Sequence, residues 1–319
     1  MRSILLLVAL STAASAQPIT PASVGFTHVH LDTPETGPVS FYVSTAGRPA
    51  DTTRTLPLVV YHQGSGYNPI YWGSRDSLRN ALLLDPRDVP EAHYIVIGKP
   101  GAPFWIEDFD NRAEPPAAFT ERLSLHWRTA AARLAIEHVM DLGMVDPSLI
   151  LSVGHSEGAD VAPWVAVEVP AVTHVAVLAG GALSMSFDFV YEFRRLVAEG
   201  EMTFDEGQRY IEQAYADLRA TYAEPTRTDT SYYGGTLLKW HSFLDNPPLD
   251  AMLQLDVPIY IAGGTLDEKA PIANLDMAAV AFIRRGKDNL TYRVWEADHS
   301  FRQPTENGSV DLLRTIVAD

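Results

Sequence analysis

The sequence predicts an α/β fold, a doubly wound and mainly parallel eight-stranded sheet, and three observations carry that expectation. Short apolar or alternating runs recur along the chain, helical stretches separate the later ones, and one long segment interrupts the alternation. The runs fall at residues 25–32, 39–44, 56–62, 94–98, 149–154, 174–179, 257–262 and 290–295. Their Val, Ile, Tyr and Thr content suits a pleated, half-buried surface. Helical periodicity fills residues 119–142, 159–169, 272–285 and 308–317. A helix crossing between strands leaves them parallel, whereas the first two runs are joined without one and predict an antiparallel start.

The interruption spans residues 183–253, between the sixth and seventh runs, and its period is helical. Within it Thr203-Phe204-Asp205-Glu206 reads as a capping box, opening a helix that continues through Tyr210, Ile211, Tyr215 and Leu218. Aromatic residues cluster at both ends of the segment, including Phe187, Phe189, Tyr233 and Trp240. Two readings stand side by side: a helical subdomain packed on itself, or a cap over a pocket. The chain thus divides into a leader (1–16), a core in two parts (17–182 and 254–319) and a helical insertion (183–253).

Composition narrows the setting. With 46% hydrophobic and 20% charged residues among 319, the chain can bury a sizeable core. Met1-Arg2, the apolar run 4–10 and Ala14-Ser15-Ala16 form the pattern of a cleaved signal peptide, cut after Ala16. That run is far shorter than the roughly 20 residues that span a bilayer, so export to a secreted or periplasmic location is expected, with no membrane anchor. The absence of cysteine removes disulfides, thiolate nucleophiles and thiolate metal sites. A formal charge of −16 repels phosphate backbones, so nucleic acid is not an expected partner.

Chemistry concentrates at Gly154-His155-Ser156-Glu157-Gly158, directly after one strand run and before a helix. A serine on so tight a turn is lifted clear of the sheet, and glycines two positions either side leave room for neighbouring chain. Its hydroxyl is a poor nucleophile until a base removes the proton, which calls for a histidine after a later strand. His299 occupies that place, following the run 290–295. An acid between the two in chain order would fix the imidazole tautomer, and Asp267 follows the run 257–262 through the turn 263–266. Asp256 begins that strand at the wrong edge, Glu268 points elsewhere, and Asp298 is too close to the base in sequence.

Acyl chemistry also needs amide donors for the developing oxyanion. Glu157 supplies one backbone N–H, and the segment His62-Gln63-Gly64-Ser65-Gly66 is placed to supply the other, from Gln63, Gly64 or Ser65. Phe104 and Trp105, after the fourth run, are placed either to line a pocket or to pack beneath the insertion. His62, Ser65, His155 and Trp240 complete the candidate pocket set. His28 and His30 share a strand face, but no third ligand lies nearby in sequence, so neither metal nor cofactor is expected.

Together these residues resemble the α/β-hydrolase superfamily: the strand–elbow–helix at 154–158, the acid Asp267, the base His299 and the glycine-rich segment at His62. The resemblance covers nearly the whole chain after the leader. It implies an eight-stranded core sheet with an optional cap after the sixth strand, which is where residues 183–253 fall. Gln63 departs from it, standing where the family often has glycine, and leaves the identity of the second oxyanion donor open. The expected activity is hydrolysis of carboxylic esters through an acyl-enzyme on Ser156. A peptidase resembling the prolyl-oligopeptidase catalytic domain and a thioesterase are the alternatives, and the substrate would be a small-molecule ester or short peptide. A non-catalytic binding protein is disfavoured, because all three triad residues are present in order.

Overall fold

The computed structural model describes residues 18–89, 91–110, 114–306 and 308–318, so the leader lies outside the described residues. Its main strands are β1 (Thr27–Thr33), β2 (Gly37–Thr45), β3 (Leu56–His62), β4 (His93–Ile97), β5 (Val145–His155), β6 (His174–Leu178), β7 (Ile259–Gly264) and β8 (Leu290–Trp295). They lie side by side in the order β1-β2-β4-β3-β5-β6-β7-β8. β2 pairs antiparallel with β1 and β4, and every later pairing is parallel.

The expectation of a mainly parallel sheet of eight strands needs correction, because the sheet is mixed and a ninth strand, Arg48–Pro49, pairs with β2. Ala46 and Gly47, both at positive φ (53° and 73°), make the tight hairpin that folds it back. Two residues ending in proline carry no readable period, so this strand left no mark in the pattern.

The helices are α1 (Ala117–Arg122), α2 (Leu125–Asp141), α3 (Glu157–Glu168), α4 (Met185–Ala198), α5 (Phe204–Ala223), α6 (Leu237–Leu244), α7 (Pro248–Met252), α8 (Ile272–Arg285) and α9 (Leu313–Ala318). Alternate strand residues feed two cores, as a period of two requires. Phe41, Leu58, Val60, Val177 and Ile261 meet Ala135, Val161, Val165 and Phe282 of the helices. Tyr42, Val59, Tyr61 and Leu178 meet Phe26, Tyr71, Phe104 and Ile316 on the other face. Each large apolar side chain so buried contributes roughly 1.5–3 kcal/mol relative to exposure.

Two helical expectations are corrected by local capping. The stretch 119–142 is two helices, because the Ser124 hydroxyl accepts from Trp127 N at 3.1 Å and restarts the chain as α2. The stretch 308–317 begins as a strand, Gly308–Asp311 paired with Arg302–Thr305. Asp311 Oδ1 then accepts from Leu313 N at 2.9 Å, and α9 starts there.

The insertion is mostly helical but also holds a short antiparallel hairpin of Ser231–Tyr232 with Gly235–Thr236, and its two halves differ. Thr203 and Glu206 form the capping box of α5, with Thr203 Oγ1 accepting from Glu206 N at 3.3 Å and Glu206 Oε2 accepting from Thr203 N at 3.1 Å. α4 carries no fully buried residue, whereas Phe243 of α6 and Leu249 and Met252 of α7 sit in the core.

Candidate active site

Five loops leave the sheet at the carboxyl ends of β3, β4, β5, β7 and β8, and they carry the predicted site. Ser156 follows β5 directly at φ 57° and ψ −129°, a strained backbone for a residue with a Cβ. The turn is held because Ser156 N donates to Leu178 O at 3.0 Å and Ala159 N to Ser156 O at 2.8 Å. The flanking glycines are required by contact: a Cβ on Gly154 would lie 1.8 Å from Gly158 O, and one on Gly158 1.9 Å from His62 O. Glu157 opens α3, so its amide belongs to the first turn, whose N–H groups lack partners within the helix.

Asp267 and His299 meet across two loops. His299 Nδ1 lies 2.8 Å from Asp267 Oδ2 and 3.0 Å from Oδ1. Asp267 Oδ1 also accepts from Lys269 N at 2.8 Å and Ala270 N at 2.9 Å, which fixes a carboxylate with no exposed surface. The loops dock closely: Leu266 N donates to Ala297 O at 3.0 Å. Asp298 turns the other way and closes its own turn, accepting from Ser300 N and Arg302 N at 2.9 Å. His299 therefore offers Nδ1 to the acid, leaving Nε2 on the opposite side of the ring. Ser156 Oγ makes no hydrogen bond to His299 in this arrangement, a contact that in such sites often tightens only with substrate bound.

His155 braces the loop of His299. Its ring lies 4.8 Å from that of His299, and its Nε2 stands 2.9 Å from the His299 carbonyl, to which it can donate. Burial, then the neighbouring imidazole, lower its pKa to about 4, so the ring stays neutral. His155 thus supports the loop of His299.

Beneath the elbow lies an ionic cluster that sequence reasoning missed. Arg128 Nη1 donates to Glu157 Oε1 at 3.1 Å, and Lys239 Nζ sits 2.7 Å from Glu157 Oε2, all three side chains at most 6% exposed. Burial alone would raise the Glu157 pKa, but Lys239, Lys99 and Arg128 outweigh it and hold the carboxyl at about 2. Arg128 Nη2 also donates to Gln63 O at 2.5 Å. Lys99 Nζ donates to Gly64 O and, at 2.7 Å, to Gly66 O. The available signals were a lysine two places after an apolar strand and an arginine inside an alanine-rich helix.

The other pocket candidates are found in packed or turn positions. His62 is buried against the Ser152 hydroxyl (3.0 Å), and burial, then Arg128, lower its pKa to about 3. Phe104 packs on Tyr42 (4.6 Å) and Tyr71 (5.3 Å) in the second core. Trp105 Nε1 donates to Gly73 O at 2.9 Å. Trp240 is buried, stacked on Tyr232 and bonded to its carbonyl at 2.7 Å. Ser65 is exposed, and its carbonyl accepts from Asn68 Nδ2 at 2.9 Å.

Clefts of about 270 Å³ and 260 Å³ are built from site loops and insertion residues. The first includes Gly66, Tyr67, Phe119 and Lys239; the second includes Phe189, Tyr233, Glu268 and Lys269. His28 and His30 both converge on the Ser40 hydroxyl, at 3.0 and 3.2 Å, and among the described residues no cluster of metal-ligating side chains forms. Among those residues, too, no helix is long and apolar enough to cross a membrane.

A mixed sheet in this strand order, with a serine elbow after the fifth strand, is the α/β-hydrolase fold. No protein-family model and no curated protein matches the chain. Solved structures similar to it include a puromycin-hydrolyzing peptidase of Mycobacterium tuberculosis, at TM-score 0.55 and 16% identity, covering 88% of this chain and 37% of that one. An acylaminoacyl peptidase of Pyrococcus horikoshii gives 0.55 and 11%, covering 87% and 38%. Dipeptidyl peptidase 4 of Porphyromonas gingivalis gives 0.52 and 14%, covering 89% and 33%. The chain therefore spans between a third and two fifths of the length of these structural neighbours.

Proposed function

We propose that the protein is a serine hydrolase that cleaves acyl bonds through a covalent intermediate on Ser156. One observation carries the reading: His299 is locked by Nδ1 to a buried Asp267 at the sheet edge from which the strained Ser156 projects. Nε2 of His299 takes the Ser156 proton as Oγ attacks the substrate carbonyl, and Asp267 stabilises the imidazolium so formed. The Glu157 N–H and an N–H of the segment 63–65 receive the negative oxygen. The proton passes to the leaving group, and water then releases the acid from the acyl-enzyme.

Among acyl substrates, amides of short peptides or acylated amines come first, because the structural neighbours carry peptidase names. Carboxylic esters are the second reading: the same acyl-enzyme serves them, with an easier leaving group. The insertion, whose residues line both clefts, acts as a cap, and the leader sends the enzyme out of the cytoplasm.

Fluorophosphonate labelling tests the nucleophile: wild type should label and Ser156→Ala should not. Equal labelling of the two would discard Ser156. A panel of aminoacyl and prolyl p-nitroanilides beside p-nitrophenyl esters ranks the substrate classes, and turnover of esters alone would move the reading to esterase. N-terminal sequencing of the exported protein should begin at Gln17.

A further inference from the structure

The segment 62–66 is gripped from below by two buried cations. Arg128 takes the carbonyl of Gln63, and Lys99 takes those of Gly64 and Gly66. In a trans peptide the C=O of one residue and the N–H of the next point to opposite sides. With the carbonyls of 63 and 64 drawn onto Arg128 and Lys99, the N–H groups of Gly64 and Ser65 are turned away from the cluster. Gly64 also lies against the nucleophile, since a Cβ there would be 3.1 Å from Ser156 Cβ and 3.5 Å from Oγ. The same Arg128 holds the Glu157 side chain. Both walls of the oxyanion site are therefore tied to one guanidinium.

We infer that Lys99 and Arg128 are positioning residues that aim the Gly64 amide at the oxyanion, an assignment that rests on the acyl-transfer reading above. Fold stability does not account for them. Burying each ion costs several kcal/mol, and well-packed apolar residues in such places are often as stable or more so. The cluster also carries more cation than anion: Arg128 and Lys239, joined by Lys99, face Glu157. Asp160 adds little negative charge, because burial, then Asp188 and Glu157, push its pKa well up. A net positive base beneath the hole favours the charge that develops in the transition state.

Lys99 faces Arg128 of α2, Glu157 of α3 and Lys239 of α6. Burial first, then the two cations, lower its pKa to about 7 against the pull of Glu157. As pH rises through about 7 its grip weakens from charged to neutral hydrogen bonds, so kcat should decline on the alkaline side.

The test uses the Lys99→Met and Lys99→Arg variants, 4-nitrophenyl butyrate as substrate, an alkylboronic acid as tetrahedral mimic, and exhaustive fluorophosphonate labelling to count competent sites. For Lys99→Met, kcat should fall about a hundredfold, KM should stay within about threefold, and boronate inhibition should weaken by the factor lost from kcat. Lys99→Arg should keep kcat within about tenfold and move the alkaline decline upward, because a guanidinium keeps its charge. The inference is overturned if Lys99→Met retains its kcat, or loses kcat with boronate affinity unchanged. Should Lys99→Met not fold, a Lys99→Arg decline at the wild-type pH overturns it instead. Wild type unlabelled at Ser156 would remove the acyl-transfer reading itself, whereas normal labelling with unmoved Lys99 variants would remove only this assignment.

Discussion

Arg128 and Arg195 each bind acidic partners from a helix, yet their surroundings give them different work. Arg195 on α4 pairs with Glu192 three residues before it and Glu199 four after, in side chains 22–47% exposed. Water and salt screen such pairs, and each contributes a few tenths of a kcal/mol. Arg128, 6% exposed, has no water to replace Glu157 or the Gln63 carbonyl. The exposed ion pairs of α4 are thus interchangeable, whereas those under the sheet edge fix geometry that no solvent can restore.

The contrast can be broken at several points, beginning with the largest effect. Ser156→Ala should lower kcat by at least about 10⁴-fold with stability little changed, measured by steady-state kinetics beside urea unfolding. Arg128→Met should cost about 1.5–3 kcal/mol in urea unfolding, because it leaves the Gln63 carbonyl without its charged donor and Glu157 with Lys239 as its remaining ion-pair partner. A loss below about 1 kcal/mol would place Arg128 with the surface pairs.

Acid sharpens the same point. The folded-state pKa of Glu157, about 2, lies below its ordinary value of 4.5. Its contribution is therefore complete above pH 4.5 and lost as pH falls towards 2. Urea midpoints across that window should drop for wild type and flatten in Glu157→Gln. On the insertion, Thr203→Ala removes a helix cap and should cost about 1 kcal/mol with activity kept. Arg195→Ala should cost at most about 0.5 kcal/mol and leave activity unchanged.

What the sequence made legible follows from what leaves a local pattern. Ser156 was visible because an elbow needs glycines at 154 and 158 between a strand and a helix, all within a few residues. Asp267 and His299 were visible because each follows a strand whose apolar run is easily read. The cluster of Lys99, Arg128, Glu157 and Lys239 was not, since its members lie on four separate elements and acquire meaning only when the sheet brings them together. Phe104 shows the opposite case: its position at the correct sheet edge left pocket and packing both open, and the aromatic core behind β4 claims it. The hairpin of Arg302–Thr305 with Gly308–Asp311 was hidden because its strands are four residues each and run into a helical apolar period.

The adjoining, tilted imidazoles of His155 and His299 have a consequence for working conditions. Because burial keeps His155 from accepting a proton until about pH 4, that ring adds no charge beside His299 in mildly acidic surroundings. The hydrogen bond from His155 Nε2 to the His299 carbonyl therefore keeps its neutral form through that range, and the loop of His299 should stay docked on the sheet in mild acid.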